Sequence, residues 1–206
     1  MLTAEQIADR CNHLGGSEAW DVLNDPGTVY LRKVFGEQVE VTEDMETGSA
    51  LEHIPAVRRY IAEHYGEVMR DVEIAIEDTP WVAHLDGLPC RLGSKTILEI
   101  KSVGILHPVR SDERWGEAGS DEIPERVIYQ VQVYMYAAKG RQAIVLAFIG
   151  GRGPVESLVE YNEPLATAII EAGNRFWREH VIPRIPPQPA VTAHSAPGPP
   201  RSERAD

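Results

Sequence analysis

Residues 81–103 read WVAHLDGLPCRLGSKTILEIKSV, two acids and a lysine set into apolar, β-rich sequence. Asp86 closes one apolar run, and Glu99-Ile100-Lys101 lies inside a second, with a turn-like segment between them. Carboxylates are costly to place in such surroundings unless a cation compensates them, and paired oxygen ligands suit a hard divalent ion such as Mg²⁺. The chemistry implied is metal-assisted hydrolysis of a phosphodiester.

Successive strand residues face opposite ways, which puts Glu99 and Lys101 on one face and Leu98 and Ile100 on the other. If 81–86 and 96–101 form an antiparallel pair, strands ~4.8 Å apart bring Asp86 and Glu99 around one ion. The Ile100 carbonyl would add a third oxygen. Lys101, beside the ion, would orient or deprotonate the attacking water, or offset charge developing on the phosphate. The competing reading is a cross-strand ion pair on a solvated sheet face, with Lys101 neutralising Asp86 or Glu99. The fragment alone leaves both open.

The elements that must position these residues follow from periodicity. Residues 3–12 and 17–24 read as short helices flanking Gly15-Gly16, and apolar positions 51, 54, 57, 61 and 65 make a helical stripe over 49–65. Strands are expected at 72–76, 81–85 and 96–103, then a polar loop over 107–124. ERVIYQVQVYMYAAK at 125–139 suits helix by its length and strand by its β-branched content; helix is preferred. Residues 143–150 read as an apolar strand with a hairpin partner at 155–161 across GGRGP. The last helix spans 164–181 and lines up Leu165, Ile169, Ala172, Phe176 and Val181. The Pro/Ala/Ser-rich stretch 186–206 reads as a tail that does not order itself, leaving 1–185 as one domain.

Bulk composition narrows the class. With 206 residues, 43% of them hydrophobic and 25% charged, the chain suits a single soluble domain with a sizeable core. No apolar run approaches the ~20 residues of a membrane span, and MLTAEQIADR lacks a signal-peptide core. Cys11 and Cys90 form no disulfide framework, so a reducing cytoplasm is expected, and they are too few for a cysteine-ligated iron–sulfur cluster. The His residues show no zinc spacing, Gly150–Pro154 lacks the Lys-Ser/Thr of a phosphate loop, and Ser17 is in no nucleophile elbow. The formal charge of −12 runs against a general nucleic-acid binder. Either any DNA contact is local and assembled in three dimensions, or there is none.

LDGL followed by ILEIKS resembles the PD-(D/E)xK nuclease superfamily, with Leu85 in place of its leading proline. The wider chain is similar to the lambda-exonuclease type of phage and viral recombination nuclease. The matching segments are GGSEA with Glu18 where Asp is commoner, GSALEHIPAV, WGEAGSDEIPE, YQVQVYMYAA and FWREHV…PP, from about residue 10 to residue 187. This resemblance implies a restriction-endonuclease-like α/β fold, a central mixed sheet flanked by helices with the metal site at one edge. It adds Glu52 to the metal ligands Asp86, Glu99 and the Ile100 carbonyl. It puts Gln130 near the scissile phosphate, with Gln132 or Tyr134 as the fallback, and assigns Arg10 and Ser17 to a pocket for a terminal 5′-phosphate.

The implied activity is Mg²⁺-dependent 5′-to-3′ degradation of one strand of linear duplex DNA, with Mn²⁺ able to substitute. The implied partners are duplex DNA ends, a single-strand annealing protein and two further copies in a ring. The alternatives are a related endonuclease or single-strand nuclease, or an inactive DNA-end-binding or protein-interaction member.

Each assignment has a plainer competitor. Ser49 to Glu52 is also a capping box, with Pro55 making the helix start irregular. Ser17 after two glycines is also an ordinary N-cap. Gln130 is also an exposed helix residue, and Arg10 a surface cation.

Overall fold

The computed structural model describes residues 10–36, 55–70, 72–90, 95–103, 115–116, 122–149 and 153–188. Its scaffold is the unit β6 (Thr96–Val103), α4 (Glu125–Ala138) and β7 (Gln142–Ile149). β6 and β7 run parallel, with Glu99 opposite Val145 and Lys101 opposite Ala147. Parallel neighbours require a crossover, and α4 supplies it. β7 is buried along most of its length, as expected of a strand covered on both faces. It continues into an antiparallel partner, β8 (Gly153–Glu160).

A second sheet has β4 (Trp81–Leu85) at its centre, parallel to the short β1 (Leu14–Gly15) and antiparallel to β3 (Val72–Ala75). A two-stranded ribbon pairs β2 (Val68–Met69) with β5 (Leu88–Pro89). The pairing of β4 with β6 expected from the sequence is not present. The two strands are linked by a single antiparallel bridge, in which Gly87 and Leu98 exchange both backbone hydrogen bonds. β6 spends its other edge on β7, a partner brought from far along the chain by α4.

Helices cover both faces. α3 (Pro55–Tyr65) lays Val57, Ile61 and Tyr65 on Leu98, Ile100, Ile144 and Leu146. α4 covers the opposite face, packing Val127, Val131 and Met135 against Ile97, Ala143 and Val145. A third cluster gathers α1 (Ala19–Asn24), α2 (Pro26–Phe35) and α5 (Glu163–Phe176) around the fully buried Trp81. The Trp81 indole donates to the Ile170 carbonyl at 3.2 Å.

The helix reading of 125–139 holds, with Pro124 before it and left-handed Lys139 (φ 53°) ending it. Residues 17–24 divide into a 3₁₀ turn, Gly16–Glu18, and α1. The last helix runs from Glu163, capped by Asn162, and ends in a π-helical turn at Trp177–Val181. α2 was not expected from periodicity, yet Asp25 caps it by accepting from Thr28 N, Pro26 opens it and left-handed Gly36 ends it. The expected helix before Arg10 and the first residues of the 49–65 helix lie outside the described residues, as does the tail from 189 onward. Pro186 and Pro187 line a cleft with Tyr30, Leu31 and Phe35 of α2. Among the described residues no helix is long and apolar enough to cross a membrane.

Candidate active site

Asp86 follows β4 directly, and one of its carboxylate oxygens accepts from the Ile100 N–H at 2.7 Å. That N–H lies on the edge of β6 turned away from β7, the edge Leu98 uses to bridge Gly87. A strand residue sends its N–H and C=O to the same edge, so the Ile100 carbonyl also points to the Asp86 side. The bridge sets Asp86 against the backbone of β6 without a full β4–β6 pair. It holds Asp86 against β6 exactly one residue before the pairing point.

Glu99 and Lys101 share the face of β6 turned to α4, as alternation requires. Glu99 is only 2% exposed, and Lys101 Nζ lies 2.7 Å from Glu99 Oε1. This is not the solvated ion pair of the plainer reading. Gln130 of α4 completes the group: its Nε2 donates to Glu99 Oε1 and to the Tyr134 hydroxyl, both at 2.8 Å. Lys101 Nζ donates to Gln130 Oε1, also at 2.8 Å. The chemistry of the partners fixes the amide orientation, since an ammonium needs the oxygen and a carboxylate needs the nitrogen.

Gln130 is buried rather than an exposed helix residue, and both its N–H groups are engaged. It holds Glu99 and Lys101 in register. Gln132 faces elsewhere, donating to the Glu160 carbonyl and accepting from Asn162 N, which removes it from the site. Tyr134, one helical turn from Gln130, belongs to the site. Burial, then the Glu99 and Asp86 charges, hold its phenol well above the ordinary tyrosine value, while Gln130 and Arg10 act in the opposite direction. Both acids and Arg10 therefore lie within electrostatic reach of one hydroxyl.

The second Glu99 oxygen, Oε2, is buried with no hydrogen-bond partner. A buried carboxylate oxygen left so is costly and calls for a donor or a cation. With Asp86 and the Ile100 carbonyl at the same edge, the donor set is all oxygen, which suits Mg²⁺ or Mn²⁺ and not a thiolate-seeking metal. Among the described residues no group of three or more His, Cys, Asp or Glu side chains is placed to hold a metal. Glu52, expected as a further ligand, lies outside the described residues.

The Gly15–Glu18 turn borders the site. A side chain on Gly16 would come within 2.3 Å of the Tyr134 ring, so the backbone lies directly on that ring. Ser17 is inside the 3₁₀ turn and caps no helix: the residues before the turn and before α1 are Gly15 and Glu18, neither with a side-chain cap bond. Arg10 is exposed, and its backbone carbonyl accepts from Lys33 Nζ at 2.6 Å. Sequence reasoning missed Lys33, an apparent surface cation on an unexpected helix. It is buried and paired with Glu18 at 2.7 Å.

The sequence matches the family model of the YqaJ-like viral recombinase domain over residues 7–141. The chain belongs to that family. The matched span takes in Arg10, Ser17, Asp86, Glu99, Lys101 and Gln130. No curated protein matches the sequence. Among solved structures, this YqaJ-like domain is similar to the alkaline exonuclease LHK-Exo from Laribacter hongkongensis, with a TM-score of 0.63 at 19% identity, covering 89% of this chain and 94% of that one. The same values hold for LHK-Exo in complex with dAMP. A phage-related exonuclease from Haemophilus somnus 129PT gives a TM-score of 0.57 at 11% identity, over 81% of this chain and 94% of that one. The fold is restriction-endonuclease-like, with mixed sheets flanked by helices.

Proposed function

We propose that this YqaJ-like domain is a metal-dependent deoxyribonuclease that degrades one strand of linear duplex DNA from its 5′ end. The observation that carries this reading is the orphaned Glu99 oxygen, buried one residue before the Ile100 N–H that Asp86 accepts from, and carried by a carboxylate whose other oxygen meets Lys101 and Gln130. Asp86, Glu99 and the Ile100 carbonyl would hold Mg²⁺, with Glu52 as a further ligand. The ion supplies Lewis-acid activation of the phosphate and of water when bound.

The chain's own groups do the rest. Lys101 is a donor in both contacts it makes here, which suits it to orient the water and to offset charge on the phosphate. Gln130 keeps that ammonium and Glu99 at a fixed separation. Arg10, within electrostatic reach of the site, and Ser17, on the turn against Tyr134, are the groups for a terminal 5′-phosphate. Membership in a viral recombinase family supports a recombination role, in which the 3′ overhang passes to an annealing protein. LHK-Exo bound to dAMP supports removal of single nucleotides.

A digest of linear duplex, closed circular duplex and single strands, with and without Mg²⁺ and with and without a 5′-phosphate, tests the reading. Phosphorylated linear duplex should be degraded in Mg²⁺, the circle should survive, and Asp86→Ala should be inactive. Cutting of the circle would make the enzyme an endonuclease. Light scattering on the intact chain reads whether three copies assemble.

A further inference from the structure

Lys33 is a lysine where a lysine is expensive. Its side chain is 3% exposed, on α2. Burying an ammonium costs more than its ion pair returns unless its other hydrogens are also bonded. Here two are accounted for: Glu18 Oε2 at 2.7 Å and the Arg10 carbonyl at 2.6 Å. The same Glu18 oxygen accepts from Gly15 N at 2.9 Å. One residue along, the Cys11 thiol reaches the Arg32 carbonyl at 3.4 Å. One buried charge thus fastens two stretches of backbone, the one bearing Arg10 and the one bearing Ser17.

The turn is held at a second point as well. Gly16 packs closely against the Tyr134 ring, and Tyr134 is hydrogen-bonded to Gln130. The turn is therefore in contact both with Lys33 and with the group that holds Glu99 and Lys101. We propose that Lys33, through Glu18 and the Arg10 carbonyl, is a positioning residue that sets the 5′-phosphate groups Arg10 and Ser17 relative to the metal site. This rests on the reading of Arg10 and Ser17 given above. Glu18 is then a working partner of Lys33 and not merely a variant of the commoner Asp.

The test is the ratio of kcat/KM on 5′-phosphorylated to 5′-hydroxyl linear duplex, measured in Mg²⁺ with the full chain. Lys33→Met alone strands Glu18 as a buried anion, so the variant of choice is Lys33→Met with Glu18→Gln, which keeps volume and removes both charges. Its ratio should fall about tenfold, the scale of one lost charge-assisted hydrogen bond, with the change in KM rather than kcat. Val29→Ala, a cavity on the same helix, should lower Tm and leave the ratio unchanged.

Two failures are distinguishable. If Arg10→Ala abolishes the preference and the double variant retains it, the clamp is wrong and the pocket stands. If the wild type shows no preference for phosphorylated ends, the pocket reading falls and the clamp falls with it.

Discussion

At the scale of single residues, the site depends on one amide. Gln130 donates to Glu99 and accepts from Lys101, so a carboxylate and an ammonium on one strand are tied through a helix. If Glu99 holds Mg²⁺ as proposed, Gln130→Ala should raise the Mg²⁺ concentration needed for half-maximal activity by ~10- to 100-fold, the usual effect of removing a partner of a metal ligand. A Mg²⁺ titration of the variant checks this, and an unchanged half-point would remove Gln130 from the role. Lys101→Met should lower kcat by about 10²- to 10³-fold, as for loss of one donor to developing charge, with Mg²⁺ affinity less affected. Tyr134→Phe removes one of three bonds around Gln130 and should cost about 1 kcal/mol of stability. Alternation along 96–103 was enough to put Glu99 and Lys101 on one face. It says nothing of Gln130, to which only the family resemblance points, because no local rule tells which helix will lie over a strand. Tyr134 was closer to hand, since positions four apart share a helix face.

At the scale of elements, two glycines set how closely helices approach their neighbours. A Cβ at Gly173 would lie 2.2 Å from the buried Trp81 ring, and one at Gly16 2.3 Å from the ring of Tyr134. Neither ring is the loose end of a flexible chain; both are buried. Gly173→Ala and Gly16→Ala should each destabilise by about 1–3 kcal/mol through overpacking, read as a lowered urea midpoint. They should differ in consequence. Gly173 joins α5 to β4 and touches only stability, whereas Gly16→Ala pushes the turn from α4 and should also weaken the 5′-phosphate preference. Equal effects on that preference would contradict this division. The same scale shows what the sequence could not settle. The segment between Asp86 and Glu99 looks turn-like, as between paired strands, but Gly87 spends its backbone on one bridge to Leu98, and β6 takes its long partner from β7. Partner choice between strands depends on the whole chain, whereas α2 announced itself locally through Asp25-Pro26 and was missed by attending to apolar spacing alone.

At the scale of the whole molecule, an acidic chain encloses its phenols. Of seven tyrosines in a protein of net charge −12, five (Tyr60, Tyr65, Tyr129, Tyr134 and Tyr161) are held above the ordinary phenol value. Burial is the first cause in every case, followed by a carboxylate: Glu156 for Tyr60 and Tyr65, Glu125 for Tyr129, Glu99 for Tyr134 and Glu163 for Tyr161. A group whose folded value is raised contributes stability that is complete below its unfolded value. That contribution is lost as pH climbs through the folded one. The window therefore opens near pH ~10, the unfolded phenol value, and each phenol ionised only in the unfolded chain removes about 1.4 kcal/mol per pH unit. Tyr65 and Tyr134, 6% and 5% exposed, should carry most of this; the other three are half-buried and more screened. Each phenolate formed also adds to the self-repulsion of an already negative molecule. Tyrosinate absorbance and circular dichroism followed together upward from pH ~9 check the expectation. Part of the tyrosinate signal should rise with the fold intact, and the remainder only as helical signal is lost. Tyr65→Phe removes the phenol that donates to Glu156 and should make the alkaline loss of stability shallower by about one proton. Ionisation of all seven phenols with native dichroism retained would show that burial does not hold these groups neutral.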